Sequence, residues 1–484
     1  MSLKRFAKDT AIYGVATILP RIISVLLLGL FTYEMKNSQF SDATDFWIFA
    51  SFFNVLLTYG METSFFRYFT KLNKDDKVIN TSFTAILISS IAFLIFMLIF
   101  SGPISDFLKI KSLYFSILII VAVLDTIVVI PFAYLRVTNR PIRFAVIKIL
   151  NIFIYLFCIL FFFIGLEYFF SYKPDDTNDF FNSLLNPENK AVYIFISNLI
   201  ASLITVLFFF SFFSKVRLSV DKKLLSEMLS YGYPIMIAGI AYVINENLDK
   251  FLLKRMLSDE IMGSYAATYK IGTFMALYIT AFRLGAEPFF FSQSSQKDAK
   301  QKYADILLWF TIVGSVFFVG IMAYMDIIAG IFIRREEYYS TIAIVPIILA
   351  ADLMLGIYHN LSVWYKVSDR TKFGMYISIF GAMLTIILNL VLIPELGFLA
   401  AAWATFAAYG SMAVISFFYG NKYYPVPYKT GKIMFYVLSS SILSFIIFYF
   451  FYDSFLVKNT ILLGYMLMVY LLEKQNLKKI LNKK

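Results

Sequence analysis

The chain has 484 residues, of which 60% are hydrophobic and only 15% charged, and its mean hydropathy is +0.75. A water-soluble fold of this size has too little interior to hide that much apolar surface, so the composition specifies an all-α polytopic membrane protein. The formal net charge of +12 would point to nucleic acid in a soluble domain, but the loops described below account for it, and no nucleic-acid partner is expected.

The N-terminus carries Lys4, Arg5 and Lys8 before an apolar segment, but no small-x-small cleavage site follows, so the segment reads as an uncleaved first span. Hydrophobic windows and loop breaks predict about fourteen helices. Their limits are 10–33, 43–69, 80–101, 112–135, 143–169, 191–213, 228–253, 262–290, 304–327, 339–365, 373–393, 397–419, 433–452 and 456–472. At about 1.5 Å per residue each is able to cross roughly 30 Å of hydrocarbon, the last two being short. Lys and Arg fall in alternate loops, 27 on the side of both termini against 10 on the other. The positive-inside rule therefore predicts an even number of spans with both termini cytoplasmic. The longest loop on the opposite side, 167–190, holds Asp175, Asp176 and Asp179 and is too short for an external catalytic domain. No attached soluble domain is expected.

A weak repeat runs through the chain. Tyr13-Gly14 recurs as Tyr231-Gly232, Ser41-Asp42 as Ser258-Asp259, and Arg67 and Arg283 fall at matching depth. These pairs fit two six-helix bundles, 1–215 and 220–420, followed by a terminal helix pair and basic tail over 430–484. Repeats of this kind are common in secondary transporters.

The chemistry-bearing residues are few. Gly431-Lys432 lacks the upstream glycine and following Ser or Thr of a P-loop, and no Gly-x-Ser-x-Gly, His-Glu-x-x-His or Cys-x-x-Cys is present. The single cysteine, Cys158, allows no intramolecular disulfide, and the single histidine, His359, allows no multi-histidine metal site. Neither an enzyme nor a cofactor is expected. What stands out is charge inside the spans: the cations Arg21, Arg67, Lys148, Lys250, Lys270 and Arg283, and the acids Glu62, Asp125, Glu246, Asp249, Glu287 and Asp352. Buried charge in hydrocarbon costs several kcal/mol, so such groups face protein or a wet cavity. Snorkelling to the interface accounts for Arg67 and Lys148, near the ends of their spans, but poorly for mid-span Arg21 beside Pro20. Arginine offers a phosphate a fork of donors and lysine a point charge. Glu246, Asp249 and Lys250 share a helix face, so the acids either bind a coupling ion or neutralise Lys250 and Lys254. Glu287 lies one turn from Arg283, and Asp352 and His359 share a face of the tenth span. A lone histidine there is more often a packing residue than a proton relay.

Taken in order along the chain, Ala11-Ile12-Tyr13-Gly14 with Arg21, Tyr59-Gly60-Met61-Glu62-Thr63-Ser64-Phe65-Phe66-Arg67, Asn247-Leu248-Asp249-Lys250-Phe251-Leu252-Leu253 and Gly263-Ser264-Tyr265 resemble bacterial polysaccharide (O-antigen-type) flippases. These belong to the multidrug/oligosaccharidyl-lipid/polysaccharide (MOP) exporter superfamily, and the resemblance covers nearly the whole chain. It implies transport by alternating access of an oligosaccharide on undecaprenyl pyrophosphate, from the cytoplasmic to the outer leaflet of a bacterial inner membrane. The product would serve surface polysaccharides such as lipopolysaccharide, with polysaccharide-assembly proteins as partners. It further implies that Arg21, Lys250, Lys270 and Arg283, with Arg67, hold the pyrophosphate and anionic sugars. Glu246, Asp249, Asp352 and Glu62 are the candidates for ion coupling.

Lipid II flippases are a related alternative, with Arg21 and Arg283 as cavity arginines on spans 1 and 8. They typically carry a second arginine shortly after the first, whereas Ile22 to Phe31 is uncharged here. A multidrug cation exporter would have twelve spans and an acid-dominated cavity. A membrane glycan polymerase or ligase would need a large external loop. Arg21, Lys270 and the short loops argue against both.

Overall fold

The computed structural model describes residues 3–166, 190–294, 296–368 and 370–481, so most of the 167–190 loop, with its three aspartates, lies outside the described residues. Every expected span is occupied by helix, and no strand occurs among the described residues. The helices are α1 (Leu3–Glu34), α2 (Asn37–Thr58), α3 (Met61–Lys71), α4 (Asp76–Ile99), α5 (Ser101–Leu108), α6 (Ser112–Ile127) and α7 (Val129–Val137). They continue with α8 (Pro141–Leu160), α9 (Ala191–Phe208), α10 (Phe210–Phe213), α11 (Lys222–Met256), α12 (Asp259–Gln293) and α13 (Ala299–Ala323). The remainder are α14 (Met325–Phe332), α15 (Val345–Leu361), α16 (Val363–Val367), α17 (Lys372–Leu396), α18 (Phe398–Tyr423), α19 (Thr430–Phe450) and α20 (Phe455–Leu481).

Among the described residues, twelve helical segments are long and apolar enough to cross a membrane. The two further expected spans are α2 with α3, and α12. They fall short of that apolarity because they carry Asp42, Asp45 and Asn54 in one case and Lys270 and Arg283 in the other. Several spans are broken where the sequence reads as continuous. The segment expected at 43–69 bends at Tyr59-Gly60, both with positive φ (35° and 73°). The segment expected at 112–135 is interrupted at Val128, and the one at 339–365 opens with a 3-10 stretch, Glu336–Ile344. Apolar composition averaged over a membrane-length window does not register such breaks.

The chain divides into two compact units, residues 1–24 with 34–266 and residues 25–33 with 267–484. In the first, α6 packs on α2, α4 and α9, α9 packs on α8, and α3 packs on α7. Helix α11, which the sequence repeat assigns to the second half, packs on α2 and α3 within this unit. That crossing is close enough that a Cβ at Gly60 would come within 2.8 Å of the Gly232 Cα. At the start of α12, a Cβ on Gly263 would overlap the Asn37 carbonyl. In the second unit α15 is the central helix, buried along nearly its whole length against α13, α18 and α19. The terminal pair α19 and α20 leans on α13, and the carboxylate of Glu473, fully buried, accepts from Tyr436 (2.9 Å) and Lys432 (2.5 Å).

Candidate functional site

In the first unit a polar cavity of about 470 Å³ opens among helices whose outward residues are apolar. Four helices supply it, α8 and α9 through helical spacing and α6 and α7 at their junction. Lys148, Asn151, Ile152 and Tyr155 lie on one face of α8; Asn198, Ala201, Ser202 and Thr205 lie on one face of α9; and Asp125, Val128, Val129 and Phe132 line the α6–α7 break. Glu62, Arg136, Pro20 and Asn54 complete the wall.

The polar groups are organised. Ser202 donates to Asp125 at 2.6 Å, and Asn151 donates to Thr205 at 2.9 Å and to the Ala201 carbonyl at 3.2 Å. Tyr155 is hydrogen-bonded to Asn198. Arg136 and Glu62 form an ion pair at 2.8 Å. Lys148 carries its ammonium 4.3 Å from the centre of the Phe132 ring and is attracted by Asp125. It has no hydrogen-bond acceptor among the described residues. A charge held on an aromatic face with its donors unused is set to engage a ligand oxygen or water. At roughly 30 Å³ per water, the cavity has space for a polar group of about sixteen waters' volume.

The residues singled out in the sequence are distributed differently. Glu62 lies in this cavity, already paired. Arg67 stacks its guanidinium 4.2 Å from the centre of the Tyr231 ring, which explains its position without a ligand. Asp249 and Lys250 are buried, at 1% and 6% exposure, and pair at 3.1 Å. Tyr265 donates to the other Asp249 oxygen at 2.9 Å, and the Glu246 carbonyl accepts from Lys250 at 2.8 Å. This is the neutralising arrangement. One turn further on, Lys254 lies 3.0 Å from both Asp42 and Asp45 and 3.4 Å from Asp259, with Arg255 3.7 Å from Asp45 and Lys111 3.6 Å from Asp42. Three acids and three bases balance there. Lys254 and Arg255 lie in the last turn of α11, where the helix dipole favours their positive charge. The repeat-related Asp42 and Asp259 meet at one lysine.

Arg21 is exposed on α1, directly after Pro20. In the second unit, the Lys270 ammonium stands 6.0 Å from the Phe31 ring centre, and Arg283 approaches the His359 ring nitrogen at 3.5 Å. Asp352 is 5% exposed and packs against α12 at Gly272, where a Cβ would stand 3.4 Å from its carboxylate. The side chain of Glu287 lies outside the described residues. Asp125 and Lys148, assigned no site role from sequence, both line this cavity. The signal was present: polar residues at 148, 151 and 155 and at 198, 202 and 205 repeat at helical spacing within apolar spans.

Solved structures share this architecture. The lipid II flippase MurJ in its inward closed conformation matches with a TM-score of 0.70 at 16% identity, over 96% of this chain and 99% of that chain. An inward-facing multidrug resistance MATE family transporter of the MOP superfamily matches with a TM-score of 0.61 at 12% identity, over 84% and 97%. A MOP superfamily transporter from Pyrococcus furiosus, described by the reverse polarity of its binding pocket, gives 0.56 at 12% identity, over 86% and 95%. An uncharacterized membrane protein of Methanocaldococcus jannaschii is 23% identical over 192 residues, 40% of this chain and only 45% of that protein. The fold is therefore that of the MOP superfamily exporters, an all-α multi-pass membrane protein. The family model described as polysaccharide biosynthesis protein matches residues 6–286, and the MatE model matches residues 234–391. The chain belongs to the polysaccharide biosynthesis protein family.

Proposed function

We propose that the protein is a secondary transporter that moves an undecaprenyl-pyrophosphate-linked oligosaccharide from the cytoplasmic to the outer leaflet by alternating access. The observation that carries this reading is the charged cavity of the first unit, built from Asp125, Lys148, the Glu62–Arg136 pair and carboxamides inside an apolar helix bundle of this family. Such a cavity suits a hydrated head group, with a phosphate oxygen meeting the Lys148 ammonium, while an isoprenoid tail stays in lipid. Of the cations read from the sequence, Arg21 in the first unit and, separately, Lys270 and Arg283 in the second are kept as proposed phosphate contacts, although none is among the residues lining this cavity. Arg67 and Lys250, held by Tyr231 and Asp249, position helices in this reading. Coupling of a proton or sodium ion through Glu62, Glu246, Asp249 or Asp352 belongs to the same proposal. So does drive by the membrane potential, worth about 2.3 kcal/mol per charge per 100 mV. The proposed location is a bacterial inner membrane with both termini cytoplasmic.

The test is depletion in the native cell followed by analysis of lipid-linked precursors. Accumulation of a polysaccharide repeat unit on its carrier, with lipid II unchanged, is the expected result. Accumulated lipid II with lysis would make the protein a peptidoglycan flippase, and accumulation of neither would end the lipid-linked reading. In proteoliposomes, Lys148→Met and Asp125→Asn are each expected to lower the transport rate roughly tenfold or more while the protein elutes as wild type. Arg67→Lys, which keeps a cation on Tyr231, should stay within about threefold of wild type. Loss of transport in Arg67→Lys with none in Lys148→Met would reverse the assignment.

A further inference from the structure

A second cavity, of about 630 Å³, lies where the α3–α4, α7–α8 and α10–α11 connections of the first unit meet. Its rim carries Lys77, Arg140, Arg143, Lys215 and Arg217, against two acids, Asp75 and Asp76. Among the described residues none of the five cations forms an ion pair. Asp75 is engaged elsewhere, its carboxylate accepting from the Lys77 backbone N–H at 2.8 Å as the N-cap of α4.

The cations are placed against helix electrostatics. Arg140 is the N-cap residue of α8, Arg143 lies in its first turn, and Lys77 lies in the first turn of α4. Helix N-termini are electropositive and favour anions, so these positions disfavour lysine and arginine unless an anion joins them. The connections that carry the cations are ordered. Arg217 donates its backbone N–H to Asn80 at 3.0 Å, Asp221 to Thr81 at 3.2 Å, and Arg140 to the Leu135 carbonyl at 2.9 Å after the left-handed Asn139. Topology alone would put positive residues in these loops, but it would not fix three of them around one cavity.

Apolar side chains complete the mostly polar lining, among them Leu135, Phe212 and the buried Phe209. Next to it, Leu207 and Phe210 are 67% and 72% exposed on the outside of the helix end. A basic pocket with exposed hydrocarbon-seeking side chains one and two residues along the chain from its lining Phe209 matches a lipid, charged at one end and apolar at the other, better than a soluble anion. We propose that this cavity holds the phosphate of an anionic phospholipid, with acyl chains along Leu207 and Phe210. The site is separate from the transport cavity and does not rest on the transport reading.

The full-length protein, purified in mild detergent, is offered phosphatidylglycerol, phosphatidylcholine or inorganic pyrophosphate, and bound lipid is counted by native mass spectrometry. Phosphatidylglycerol should be retained roughly tenfold or more over phosphatidylcholine, and R140Q/R143Q/R217Q should lose that preference while K422Q/K429Q keeps it. The lipid preference of the wild type tests the proposal even if the triple variant folds poorly. Equal retention of the two lipids would overturn it, as would a preference undiminished in a folded triple variant. Displacement of phosphatidylglycerol by inorganic pyrophosphate at equal concentration would also overturn it, in favour of a soluble phosphate site.

Discussion

Lys254→Met is expected to destabilise the protein by about 3–5 kcal/mol, the cost of leaving buried charge without its partner. Lys254 is 7% exposed and Asp45 2%, and the lysine lies within 3.0 Å of Asp42 and Asp45. Removing it leaves three carboxylates facing Arg255 and Lys111 alone. Thermal unfolding in detergent is the measurement, and the diagnostic is rescue: Asp45→Asn in the Lys254→Met background should recover a large part of the loss, because it removes the charge the lysine neutralised. Asp45→Asn in the wild type should itself be destabilising. If Lys254→Met melts with wild type, water reaches the cluster and the pairing is a surface one, worth no more than about 1 kcal/mol.

Gly60→Ala is expected to abolish the folded protein. Gly60 has φ +73°, and the left-handed backbone costs about 1–2 kcal/mol for a residue with a Cβ. The larger cost is steric, because the new methyl would meet the Gly232 backbone on α11, which has no flexible end to move aside. Gly263→Ala at Asn37 should behave alike. Gly464→Ala and Gly431→Ala, where a Cβ meets nothing within 4 Å, are the controls and should express normally. A monodisperse Gly60→Ala protein with wild-type melting would show that the α3–α11 crossing relaxes easily.

The helical spans and their order were legible in the sequence because they depend on local quantities: the length of an apolar run, the charge in the loop after it, a proline or glycine at its end. The elbow at Tyr59-Gly60 was not legible, since the run as a whole is long enough for one span and the close approach of Gly232 comes from a distant helix. Lys250 illustrates the limit for the site. Its spacing from Glu246 showed a shared helix face, but the Tyr265 hydroxyl that completes the Asp249 pair comes from the next helix. Lys148 illustrates the opposite error. Depth along the chain suggested an escape to the interface, whereas Phe132 and Asp125 hold it at a cavity.

By itself the sequence determined an all-α membrane protein, the places where charge had to be sheltered, and the helical stripes able to shelter it. Tertiary structure decided which of those charges meet one another and which face open space. The reason is geometric. Successive residues of a helix point about 100° apart, so the rotation of each helix against its neighbours, set by packing at sites such as Gly60 and Gly263, selects partner, cavity or lipid for every polar side chain.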